Sequence, residues 1–332
     1  MPETHEVVYF GEPFYNSACE LGEGPIYRPE DNTLHFVDLR SASIHVLPLS
    51  SYDIKTTRAE IRIPSDVVTA IAFRKDHPRS YVGSTTLGIA FVDENNGAIQ
   101  MRKQLLPESI RGKIRFNDGA VDCKGRFWAG ETDEEACQIP LSDRSYPPKG
   151  RLWRFDPDGT ATQMLDGIYC SNGIGWSPDN KYMYYNDSCG LLTRRFDFDA
   201  ESGTISNCID FADFREPGDS KTPRTAPELL ERLLGGEPDG LVMDTEGNIW
   251  IALWNKGCVL CFKSDGELIR EVRSNDAKYM TCPAWGGEKL DILFCTSAKL
   301  SGEGGSNGGK LWRFDAGKQW GVRGQAKYKF AG

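Results

Sequence analysis

Four polar residues stand at or just before a glycine that opens an apolar strand-like run, at widely spaced points of the 332-residue chain: Glu23, Asn117, Asn172 and Asp239. Two carboxylates and two carboxamides, with no thiolate or imidazole among them, make an oxygen-only donor set. Such a set, carrying about two negative charges, suits a hard divalent cation of the Ca2+ or Mg2+ kind. A cation held this way can polarise a carbonyl and lower the pKa of a bound water. Asn-Gly and Asp-Gly are also ordinary turn dipeptides. What sets these four apart is that they recur in register, so the elements that would bring them together must be found.

Those elements form a repeat. Glu23–Asp38, Asn117–Gly130, Asn172–Asn186 and Asp239–Ala252 share one grammar: a polar residue, Gly, an apolar strand, a turn rich in Pro, Asp, Asn and Gly, and a second apolar or aromatic strand. By its local signals each is a β-hairpin. Val68–Gly83 and Met280–Cys295 are weaker copies. With Gly24, Ala70, Gly119, Gly173, Gly240 and Cys282 as equivalent points, the steps are 46, 49, 54, 67 and 42 residues. Strand-type repeats of about 40 to 50 residues are propeller blades. Gly150–Gly159, Leu192–Gly203 and Lys310–Asp315 supply outer strands. The expected fold is therefore all-β: a six-bladed β-propeller with a central metal site, formed as one domain over residues 1–332. Equivalent positions of innermost strands converge on the channel axis, which is how four distant residues can meet.

Two irregular stretches interrupt the pattern and are expected as lids, near 137–149 and 215–236. In the second, Thr225-Ala-Pro-Glu228 is a capping box followed by Leu-rich sequence and Gly235-Gly236, which predicts a short helix.

Other chemistries fit poorly. Gly304 to Lys310 matches GxxxxGK, but Leu311 stands where a phosphate-binding loop needs Ser or Thr. Gly304 to Gly308 matches GxSxG, yet no His follows residue 77 to complete a triad. Cys258 and Cys261 are a tight pair within a strand-like run, without a second pair or a nearby His to complete a zinc set. His35 and His45 flank the run Leu34–Leu39 and are expected as half-exposed strand residues. The ten cysteines, scattered without paired spacing, suggest reduced thiols in a cytoplasmic protein.

A balance of 39 basic against 48 acidic residues, net charge −9, lacks the basic face that a nucleic acid requires. No apolar run approaches the roughly 18 residues that cross a bilayer, and the first residues lack a leader's basic and apolar regions. No nucleic acid, membrane association or export is expected, and the protein is expected to be a monomer or weak homo-oligomer.

The chain resembles the SMP-30/gluconolactonase/luciferin-regenerating-enzyme family, which includes regucalcin. The resemblance runs from Leu21-Gly-Glu-Gly-Pro25 through Arg115-Phe-Asn-Asp-Gly119, Gly125-Arg-Phe-Trp-Ala-Gly130, Ser171-Asn-Gly173, Tyr185-Asn-Asp-Ser188 and Pro238-Asp-Gly240 to Phe330-Ala-Gly332. It implies a six-bladed propeller with one divalent metal ion, Ca2+ foremost, with Zn2+, Mg2+ or Mn2+ also accepted. It implies Glu23, Asn172 and Asp239 as metal ligands, Arg115, Asn117 and Glu135 as substrate contacts, and Asp239 as the catalytic base.

The implied activity is a metal-dependent lactonase acting on a sugar-derived or similar polar lactone. Organophosphate hydrolysis on the same metal and a non-catalytic calcium-binding regulator are the alternatives. Arg115 offers planar donors for ring hydroxyls or a carbonyl oxygen. Asp239 could serve as base or only as ligand, since coordination to a dication weakens a carboxylate as base. Glu135 closes a run of four acids in five residues, a pattern also found in solvated loops. Asp187 is expected to bond backbone near the channel rather than to react.

Overall fold

The computed structural model describes residues 5–49, 59–63, 65–140, 143, 146–216 and 231–332. Among the described residues, six sheets follow one another along the chain, each built of antiparallel strands paired in sequence order from an innermost strand outward, with one parallel strand added at the edge of the fifth. The innermost strands are Gly22–Arg28, Val68–Phe73, Ile114–Val121, Ser171–Trp176, Glu237–Met243 and Tyr279–Gly286. All six equivalent points of the repeat fall within them. The six-bladed β-propeller expected from the repeat is the architecture observed.

The repeat grammar has a visible physical basis in blades three and five. Asp122, at the end of its innermost strand, accepts from the backbone N–H groups of Lys124 and Arg126 and from the indole of Trp128 at 2.9 Å. Asp244 does the same toward Glu246, Asn248 and the Trp250 indole at 3.0 Å. One carboxylate thus shapes the hairpin turn and satisfies a buried tryptophan in the next strand. These tryptophans pack edge-on across blade boundaries, Trp128 on Trp176 at 5.9 Å and Trp250 on Trp285 at 5.4 Å. The core therefore lies between neighbouring blades, and inner strands such as Thr33–Asp38 and Ser171–Trp176 are covered on both faces.

That double coverage corrects the reading of two histidines. His35 and His45 are buried, at 0% and 5% exposure, rather than half-exposed. His35 bonds Thr33 at 2.7 Å and the Tyr81 hydroxyl of the next blade at 2.8 Å. His45 stacks on Phe36 with ring centroids 4.9 Å apart.

The chain closes the ring in a way the repeat does not announce. Glu6–Tyr9 joins the outer edge of blade five as a fifth, parallel strand. The following residues then cross to blade six, where Tyr15 bridges Leu311 and the Cys19 amide donates to Gly309. At the other end, residues 321–332 run beneath the channel. The Gln325 amide donates to Met243, Phe330 to Phe73 and Ala331 to Gly125, which ties blades five, two and three together.

Of the two expected lids, only parts are described. Glu134–Cys137 is a short helix capped by Asp133. The helix predicted from Thr225 lies mostly outside the described residues, and Glu231–Leu233 forms one 3-10 turn. Among the described residues, no helix is long and apolar enough to cross a membrane.

Candidate active site

All six innermost strands carry a register irregularity, between Glu23 and Ile26, Val68 and Ala70, Phe116 and Gly119, Ser171 and Ile174, Pro238 and Leu241, and Met280 and Pro283. A bulge adds a residue to one strand and re-aims its side chains. Asn117, Asn172 and Asp239 occupy the same place in their bulges. Glu23 stands one residue earlier, beside Gly24, whose φ of 55° is the left-handed conformation glycine adopts without strain.

These bulges open one cavity of about 200 Å3, lined by Glu23, Arg115, Asn117, Asn172 and Asp239 among others. Trp254, stacked on Tyr279 at 4.3 Å, gives one wall an aromatic face. Glu135 is not among the lining residues: it is exposed on the short helix, and its neighbour Glu134 instead accepts from Arg115 Nε at 2.6 Å.

The side chains are held by a chain of bonds. Arg115 Nη1 donates to Asn117 Oδ1 at 2.7 Å and to the Phe116 carbonyl at 3.0 Å, while Asn117 Nδ2 donates to the Ser171 carbonyl at 2.9 Å. Asn172 Nδ2 donates to Ser188 Oγ at 3.0 Å, and Ser188 Oγ donates on to the Pro238 carbonyl at 2.7 Å. Asn186 Nδ2 donates to the Asp239 carbonyl at 2.5 Å, and Thr193 fixes Asn186 through its Oδ1 at 2.7 Å. Asp187 accepts from the Cys170 amide at 2.9 Å, the backbone role expected of it.

Electrostatics single out the carboxylates. Burial, then the neighbouring Asp118 carboxylate, pushes Glu23 well above the usual carboxylate range. Burial, then Glu23, does the same to Asp239. Asp118 is raised by burial as well. Oδ1 of Asp239 is buried without a hydrogen-bond partner. Convergent, desolvated carboxylates with an orphaned oxygen are the features of a site built for a cation. The oxygen donors of Glu23, Asn172 and Asp239 fit a hard divalent ion, and Asn117 Oδ1 is engaged by Arg115.

Asp118, Ser188, Asn186 and Cys170 were missed as parts of this site. Asp118 had a signal, being the residue directly before Gly119. Ser188 and Asn186 could have been found from the hairpin register that pairs Ser171 with Asp187.

Residues 21–299 match the SMP-30/gluconolactonase/LRE-like region. The chain belongs to this family. It is 28% identical over 311 residues to the pentonolactonase XacC of Haloferax volcanii, covering 90% of this chain and 92% of that protein. Regucalcin of Homo sapiens is 29% identical over 320 residues, covering 95% and 96%. Among solved structures, a luciferin-regenerating enzyme superposes with a TM-score of 0.78 at 27% identity, covering 96% of this chain and all of that one.

Proposed function

We propose that this family member is a metal-dependent lactonase that hydrolyses a sugar-derived or similarly polar lactone to its hydroxy acid. The observation that carries the reading is the meeting of Glu23, Asn172 and Asp239 with the Arg115–Asn117 pair in one cavity. The pentonolactonase among its relatives supports the reaction class. Glu23, Asn172 and Asp239 would hold one divalent ion, Ca2+ foremost, which when bound supplies a Lewis acid at the lactone carbonyl.

The chain's own residues supply the rest. The guanidinium of Arg115, held at Nε by Glu134 and at Nη1 by Asn117, keeps Nη2 for the lactone oxygens. The Asn117 amide and the Trp254 face orient a polyhydroxylated ring. A carboxylate oxygen of Asp239 takes the proton of the attacking water and returns it to the ring oxygen as the carbonyl–ring oxygen bond breaks, so that oxygen leaves as the alcohol of the opened acid. Glu135, exposed beside this pocket wall, would reach the substrate only at its outer end.

The test follows acid release from a panel of aldonolactones, before and after chelation and after restoring Ca2+, Zn2+, Mg2+ or Mn2+. Turnover lost on chelation and restored by an added ion is the expected result. Absence of metal-dependent turnover over the whole panel defeats the reading, and turnover of phosphotriesters alone would replace it.

A further inference from the structure

Three cysteines remote in sequence share one place in the fold. Cys137 ends the short helix after the second strand of blade three. Cys170 lies in the link between blades three and four, and Cys189 follows the second strand of blade four. Their Sγ atoms lie within 4.8 Å of one another. The hairpin of blade four brings the last two together, because Ser171 pairs with Asp187, and a bridge from Thr132 to Cys170 adds blade three.

We propose that Cys137, Cys170 and Cys189 form a second metal site, a three-thiolate cradle for a soft, thiophilic d10 cation such as Zn2+, opening onto the same cavity as the carboxylate centre. Packing does not account for these residues. Cys19, Cys258, Cys261 and Cys295 sit inside apolar core clusters, whereas these three are half-buried and belong to none of those clusters.

The cradle is held from its backbone. The Cys170 amide is fixed by Asp187 and the Ser188 amide donates to the Cys170 carbonyl at 3.0 Å, while the Cys137 thiol donates to the Tyr169 carbonyl at 3.3 Å, a proton released to solvent when the thiolate takes the cation. Zn–S bonds of about 2.3 Å in a tetrahedron place sulfurs about 3.8 Å apart, so closure on the ion requires a contraction of roughly an ångström at most. Cys170 and Cys189 line the cavity, which leaves water or a substrate oxygen for the fourth position. Ligand softness sets the order of preference: the oxygen set favours a hard ion, while the sulfur set takes the first equivalent of a thiophilic one.

The test is a Cd2+ titration of reduced, metal-free protein, read by the ultraviolet thiolate-to-cadmium charge-transfer band, with Zn2+ as competitor. Expected is a band that saturates at a single equivalent, is displaced by Zn2+, persists in Asp239→Asn, and is lost in Cys137→Ser/Cys189→Ser. X-ray absorption at the zinc edge of the wild-type protein provides a measurement free of any folding defect in the variant, and should show three sulfur neighbours at about 2.3 Å. No band in the wild type, a band unchanged in the double variant, or a disulfide joining two of the three cysteines in the purified protein would overturn the proposal. None of these readouts depends on lactone turnover.

Discussion

The side-chain amide of Asn186 in blade four donates to the backbone carbonyl of Asp239 in blade five across 2.5 Å, with both groups buried. Asp239 is thereby positioned by a residue that need never touch metal or substrate. Residues that orient ligands from behind typically contribute ten- to a hundredfold to metal affinity or activity. Asn186→Ala should weaken the divalent ion by about that factor and leave the propeller folded, since Thr193 and the Asp239 carbonyl lose one bond each. Activity titrated against free metal, with circular dichroism as the fold control, checks this. An unchanged metal midpoint would show that the strand alone sets Asp239.

Arg115 is gripped from two sides, by Glu134 at Nε and by Asn117 at Nη1, and only a planar guanidinium reaches both while presenting a third edge. Arg115→Lys keeps the charge and loses that fork. The expected result is a fall in kcat/KM of tenfold or more, equivalent to about 1.4 kcal/mol or more, with the metal midpoint unmoved. Steady-state kinetics on the best lactone decide it. A variant with wild-type kcat/KM would make Arg115 a structural ion pair.

The raised carboxyls of Glu23 and Asp239 set a pH signature. An acid whose folded-state pKa is raised binds more protons folded than unfolded. Its stabilisation is therefore complete below the ordinary carboxylate range and is lost as pH rises through the raised value. Metal-free protein should lose melting temperature as pH climbs above that range. The gain on adding metal should widen over the same interval, because the ion replaces the protons. Asp239→Asn removes one of the repelling charges: it should narrow the widening, cut turnover by about a hundredfold or more, and leave the metal-free protein at least as stable as wild type at neutral pH. Scanning calorimetry across pH, with and without chelator, measures the stabilities, and acid release from the best lactone measures the turnover; a pH-independent metal gain would contradict the prediction.

The blades were legible in the sequence because each hairpin carries its own physics, as in the turn carboxylates of Asp122 and Asp244 that also bind a tryptophan. The ring of polar residues was legible because innermost strands of a propeller share one axis. The bulges that aim Asn117, Asn172 and Asp239 had no separate signal, and although the hairpin register could place Asn186 and Ser188 near the site, their bonds to the Asp239 and Pro238 carbonyls depend on contacts between blades. The three cysteines were illegible for a similar reason: their spacing follows the loops of two blades rather than one local motif. The four residues of Glu6–Tyr9 were too short a run to reveal that they complete another blade. His35 was misjudged on another ground. Alternation assumes one wet face, whereas every residue of Thr33–Asp38 is buried.

His35 therefore bears on acid stability. Burial, then the charge of Arg28, lowers its pKa from 6.5 to about 3, so it stays neutral between Thr33 and Tyr81. For a base depressed in the folded state the sign is the reverse of that for the raised carboxyls. The unfolded chain takes up a proton near pH 6.5 while the native protein does not until about 3, so stability falls as pH is lowered through that window. Each unit of difference corresponds to about 1.4 kcal/mol. His35→Gln, which cannot be protonated, should flatten the dependence of unfolding free energy on pH between about 3 and 6.5. At neutral pH the same change should cost about 1 kcal/mol, because the bond to Tyr81 is made less well. Urea unfolding at a series of pH values, with chelator present throughout so that the carboxylate centre contributes equally to both proteins, measures the two slopes. Equal slopes would mean that His35 takes up its proton while the blades remain folded.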